Sequence, residues 1–306
     1  MEENNKNIHS SGEKPKIEIE INKYKRLVDV LNNPKLLAKA IVVLAVIIVL
    51  VFVGVSAIAL VIKRFYPYKA VETNKYGATV IKNEDTEITY WLFNSADLWA
   101  NSGIEVKKDQ VITIRTSGAF HSAIHHLVHD ADSNIQRDKW LSPTGGVQSL
   151  NKQDSARARF RIATEYDFNT VIMQVIPSRL IGKGHDWFKK YANDDDYLDY
   201  IDGGVTASSK AKIYKIGDGY ENIVIQEDGV LCFACNDIAL TPRVIDAMLN
   251  DDNFADLNIM HYSDTLQGQP HFKCPTELHY YKEHNFVDAW FVDNVGSFLI
   301  VVERKK

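Results

Sequence analysis

One stretch of this sequence constrains the rest: from Ile41 to Ile62 the chain carries no charged residue and consists almost wholly of Ile, Val, Leu, Ala and Phe. As a helix it would extend about 33 Å, the hydrocarbon thickness of a bilayer. A helix in a soluble core keeps a polar face, and this run has none. Lys63 and Arg64 end it, and Phe65, Tyr66 and Tyr68 suit the boundary between lipid tails and headgroups. Ala57-Ile58-Ala59 resembles a signal-peptidase site. The apolar run is nonetheless longer than a signal core and follows about 40 residues of polar chain, so an uncleaved single-pass anchor is expected. Basic residues flank it evenly, with Lys23, Lys25, Arg26, Lys35 and Lys39 before and Lys63, Arg64, Lys69, Lys75 and Lys82 after. Charge alone therefore leaves the orientation open.

The anchor divides the chain into an N-terminal tail over 1–40, the span over 41–62, a linker over 63–84 and a globular domain over 85–306. In the tail, Lys16 to Ile21 alternates polar and apolar like a strand, and Tyr24 to Leu31 has helical spacing before Asn32-Asn33-Pro34. After the span, strand patterns dominate: Ile88–Phe93, Val111–Arg115, Thr170–Ile176, Ile223–Ile225, Val230–Ala234 and Ser297–Val302. Turn residues such as Asp228-Gly229 separate them. The expected fold is mainly β, a sandwich of jelly-roll type with helical insertions. Thr241 as N-cap and Pro242 at the first helical position open a short helix through Leu249.

A net charge of −5 and the lack of a dense Lys/Arg block argue against nucleic acid as a partner, because phosphate binding needs clustered cations. The three cysteines, Cys232, Cys235 and Cys274, cannot build a disulfide framework. Cys232 and Cys235 read as C-x-x-C but lie on a strand pattern. Residues three apart on a strand face opposite ways, so two packing thiols are expected. His121, His125, His126 and His129 crowd one segment. On a helix His121, His125 and His129 would share a face able to hold a metal, although no glutamate supplies the base of an H-E-x-x-H protease. Asp130, Asp132 and Asn134 open like a calcium loop, but Ile135 stands where an EF-hand needs glycine. There is no G-x-S-x-G, Walker loop or dinucleotide fingerprint, so a non-enzymatic protein is expected.

Four segments, in order, resemble the PA-I galactophilic lectins, small calcium-dependent β-sandwiches of the galactose-binding-domain type. They are Trp99 to Gly118 (with its Val111-Ile112-Thr113-Ile114 run), Arg179 to Gly184, Gly229 to Asp237 (ending Asn236-Asp237), and Asp293 to Ile300 (with Gly296-Ser297-Phe298). The resemblance covers most of 85–303 with insertions at 120–170, 185–215 and 239–288. Where the family has a tyrosine past its small-small-Gly strand, this chain has Phe120-His121-Ser122. The resemblance implies a calcium site at Asp237, Asp293 and Asn294, next to Asn236. Calcium is a hard cation that takes carboxylate and amide oxygens. The reading that follows is a membrane-anchored, carbohydrate-binding protein, oligomeric and displayed outside the cytoplasm. The alternatives are an assembly or effector subunit whose sandwich binds a protein partner or small ligand, and a metal-dependent hydrolase built on the histidine segment.

Overall fold

The computed structural model describes residues 24–25, 28–29, 31–65, 70–122, 139–146, 157–182, 186–208, 211–252 and 274–305. The chain divides into two units, Met1–Pro67 and Tyr68–Lys306. The first is built on one helix, α1 (Pro34–Phe65). Its start is chemical: the Asn33 side-chain oxygen accepts the amides of Lys35 and Leu36, and Pro34 fills the first turn, where no amide is needed. The span over Pro34–Ile62 is long and apolar enough to cross a membrane.

The second unit is a sandwich of two antiparallel sheets. The larger holds β1 (Ala70–Thr73), β2 (Thr79–Lys82), β3 (Thr86–Asn94), β5 (Val111–His121), β8 (Gly219–Val224) and β10 (Val295–Lys305), in the order β1-β2-β3-β10-β5-β8. The smaller holds β4 (Ala100–Val106), β6 (Val171–Ile176), β7 (Tyr214–Lys215) and β9 (Gly229–Cys235), in the order β4-β9-β6-β7. Each of the six expected strands is present within longer or shifted bounds. The sheet, however, starts at Ala70, inside the stretch expected to be linker. The β1–β2 turn is also tied to the smaller sheet, because Asn74 Nδ2 donates to the Ser102 carbonyl at 3.0 Å.

Alternation sets the core. Trp91, Phe93, Ile112, Ile114, Phe298 and Ile300 of the large sheet meet Val171, Met173, Leu231 and Phe233 of the small one. Trp91 and Phe233 lie 5.6 Å apart, centroid to centroid. The small sheet is buried on its far face too. There Ile172, Ile176, Val230, Cys232 and Ala234 pack beneath α2 (Ser178–Ile181), α3 (Trp187–Tyr191) and α4 (Leu198–Asp202). Strands β6 and β9 accordingly carry apolar residues at nearly every position, as strands buried on both faces do. Apart from α2, the helices come from the lengthened connections at 185–215 and 239–288. The latter supplies α5 (Pro242–Leu249) and α6 (Cys274–Glu283), and Thr241 caps α5 by accepting the Val244 amide.

Cys232 and Cys235 are free and fully buried in different cores, one facing the helices and the other the large sheet. Burial pushes both thiols up from their ordinary range, Cys235 also through the charge of Asp237.

Candidate functional site

Two glycines shape the end of the sandwich where the resemblance points. Gly118 on β5 and Gly296 on β10 adopt φ of 136° and 127°. A Cβ on Gly296 would stand 2.5 Å from the Ala119 carbonyl oxygen, and one on Gly118 2.4 Å from that of Ser297. The small-small-Gly and Asn-x-Gly-Ser-Phe segments therefore share one cause: β5 and β10 approach too closely for side chains at either point. Phe298 follows into the core, where Phe120 meets it edge-on at 5.4 Å.

Asn294 stands just before β10 and closes the corner after β3. Its Nδ2 donates to the Ser95 carbonyl at 3.1 Å, while the Ser95 amide and hydroxyl both reach the Gly296 carbonyl. The Asn294 amide donates to Phe291 O. That leaves its Oδ1, which is sealed from solvent and accepts no hydrogen bond. Asp293, the neighbour in sequence, is half-buried.

Asn236 and Asp237 follow β9 at the same end. Hydrogen bonds trace the connection: Val295 lies opposite His121, Phe120 and Leu141 exchange backbone bonds, Val171 donates to Pro143 O, and Asn236 donates to Thr170 O. From the other direction, Leu240 donates to Val287 O at 2.8 Å, joining the segment after Asp237 to the one that leads into Asn294. The Asn236 side chain is spent within the protein. Its Oδ1 accepts the Ala163 amide, and its Nδ2 donates to the carbonyls of Ala163, Tyr166 and Asp167. Asn236 therefore pins the loop before β6 and holds Asp237 in place. The Asp237 carboxylate accepts the Ile238 amide at 2.8 Å and is nearly buried.

No protein-family model matches this chain, and no curated protein matches it. Among solved structures it is similar to one described as "EclA N-terminal domain; PllA-like lectin", with 10% sequence identity and a TM-score of 0.30, over 71% of this chain and 95% of that one.

His121, one of the three histidines expected to share a helical face, lies on a strand instead. His121 is the last residue of β5, fully buried, with its ring edge-on to Trp140 at 6.0 Å. His125 and His129, and the calcium-loop-like Asp130 to Asn134, lie outside the described residues. Among the described residues no group of three or more His, Cys, Asp or Glu is placed to hold a metal. A cation at this end would have to draw on amide and backbone oxygens as well.

Sequence reasoning missed two further features. Tyr281 donates to the Glu277 carboxylate one turn back on α6, and Glu277 is itself nearly buried. Burial, then Glu277's hydrogen bond and charge, then the charge of Asp293 push the Tyr281 hydroxyl well above its ordinary range. Arg157 lies over the Trp290 ring at 4.5 Å. The Glu-x-x-x-Tyr spacing was the available signal, usable once 274–283 is known to be helical.

Proposed function

We propose that this chain is a membrane-anchored carbohydrate-binding protein whose sandwich presents a calcium-assisted site formed by Asp237, Asp293 and Asn294. The observation that carries the reading is the Asn294 Oδ1, a carbonyl oxygen buried without a partner at the end of the fold that also holds Asp237 and Asp293. Leaving such an acceptor unsatisfied costs about 1–3 kcal/mol, and a hard cation removes that cost. Its Nδ2 is fixed by the Ser95 carbonyl and its backbone N–H by Phe291, so the oxygen is pre-set rather than free to rotate. Asn236 contributes by position, since its side-chain amide holds the loop over 163–167 and so sets the place of Asp237. The resemblance of the Asn236-Asp237 and Gly296-Ser297-Phe298 segments to the PA-I galactophilic lectins supports the same assignment. When bound, calcium would give sugar hydroxyls a charged oxygen-seeking centre. The α1 span would hold the site at a membrane surface, outside the cytoplasm, where glycans are found.

Calorimetric titration of calcium into the full chain in detergent micelles tests this, followed by a glycan panel with and without calcium. The expected result is saturable calcium binding at or below millimolar concentration, weakened at least tenfold in Asn294→Ala. Absence of calcium binding in the folded wild type would overturn the site.

A further inference from the structure

The two sheets differ in how their outer faces end. The small sheet is roofed by α2, α3 and α4, whereas the large sheet leaves an apolar outer face in solvent. The register aligns that face in rows. Leu92 lies opposite Leu299, Tyr90 is one row on, and Ile88 lies opposite Ile81, which in turn faces Val71. Leu92 is 65% exposed and Val71 67%. The intervening residues Thr89, Trp91 and Phe93 point into the core, so the alternation that builds the sandwich also builds this face. An edge strand or loop exposes single apolar residues as a matter of course, but aligned rows across several strands are a surface.

We propose that this face is the contact by which two copies of the chain pair, sheet on sheet. Three features select a second copy. First, a flat pleated face of aliphatic residues finds its complement in another pleated sheet, which packs about 10 Å away with strands about 30° apart. Second, it spans β1 to β10, with strands about 4.8 Å apart and three rows about 7 Å apart, or on the order of 400–500 Å² with side-chain margins. Two copies then bury about 800–1,000 Å², the size of a weak, reversible pair. Third, its border is self-complementary. Arg115 and Glu303 stand side by side on adjacent strands, 3.9 Å apart, so a twofold can match each with its opposite on the other copy. Tyr90 and Arg115 are also of the residue types that dominate binding energy at interfaces.

The test uses the full chain in detergent micelles, sized by light scattering, with calcium titrated in parallel. Wild type is expected as two copies per particle. Leu92→Lys and Leu299→Lys, each placing a charge in the contact, are expected to weaken pairing on the order of 100-fold and give single copies. Unchanged circular dichroism and calcium affinity would show that the sandwich and its end site persist. As a positive mark, Leu299→Cys in a Cys274→Ser background should be joined into a dimer by a short bismaleimide linker in membranes, while Glu221→Cys on the far edge strand should not. Single-copy wild type overturns the proposal. So does a dimer that survives both lysine variants, since pairing would then lie elsewhere, for example through α1. A face that binds lipid vesicles through Leu92 while the protein stays single would assign the surface to lipid and overturn it equally.

Discussion

Asn236 and Asn294 show how two residues of one type divide structure from chemistry. Asn236 spends both ends of its side-chain amide on Ala163, Tyr166 and Asp167, and Asn294 leaves its carbonyl oxygen unmet in a buried place. The sequence presents both as asparagines beside aspartates, and nothing in spacing separates them. Their hydrogen-bond partners, Ala163 and Ser95, are distant in the chain, so the distinction exists only after folding. Cys232 and Cys235 are the opposite case, legible because strand period alone fixes their faces. Tyr281 carries a prediction at this scale. Its hydroxyl is held neutral by burial first and by Glu277 second, so its folded pKa lies above the ordinary value of about 10. A raised acid contributes stability below the unfolded value and loses it as pH climbs beyond, because the unfolded chain ionises first. Wild type should therefore lose denaturant stability between about pH 9 and pH 11 more steeply than Tyr281→Phe. Coincident slopes would show that Tyr281 does not sit buried and neutral in solution.

At the scale of elements, strands were readable where alternation or a long apolar run marked them, as in β3, β6, β9 and β10. The short β1 and β2 were not, since four residues cannot establish a period. The layer of α2 to α4 was hidden for another reason. Its helices are four or five residues long and rich in aromatics and acids, and they are held by packing and polar contacts rather than by amphipathic repeat. The strongest of those contacts joins α4 to α5. Asp202 is buried and accepts from Thr241 Oγ1 at 2.6 Å, from the Gly204 amide at 3.0 Å and from Arg243 Nε at 2.8 Å. Arg243 also reaches Asp199 at 2.6 Å. The hydrogen bond to Asp202 raises the Arg243 pKa further, so the guanidinium stays charged. Arg243→Met removes one partner and leaves a buried carboxylate uncompensated, which should cost about 3–5 kcal/mol. Arg243→Met with Asp202→Asn should recover part of that loss. Urea denaturation of the wild type and these two variants measures it, and a cost below about 1 kcal/mol for the single change would mean that solvent already reaches Asp202.

For the whole molecule, the question is where the globular unit begins, because the chain runs from α1 into β1 within residues 66–69. Composition suggested a linker as far as residue 84, yet that stretch completes the sandwich. Ala78 is fully buried in the central core, and Trp91 Nε1 donates to the Tyr76 carbonyl at 3.0 Å. Asn74 organises the turn, accepting the amides of Tyr76 and Ala78 at 2.9 Å each while its own amide group holds Ser102 on β4. The Tyr76 ring lies where a Cβ on Gly103 would be, so β4 has no room for a side chain there. A chain starting at residue 85 would uncover the edge of β3, orphan the Trp91 indole and open the edge of β4. Two exposed strand edges beside an uncovered tryptophan invite association between chains. A fragment of 68–306 should therefore express as soluble protein with a cooperative urea transition. A fragment of 85–306 should be destabilised by several kcal/mol, on the order of 3–5, or aggregate outright. Equal transition midpoints for the two would show that the hairpin is an appendage, and that the sandwich ends at β3 as the sequence alone suggested.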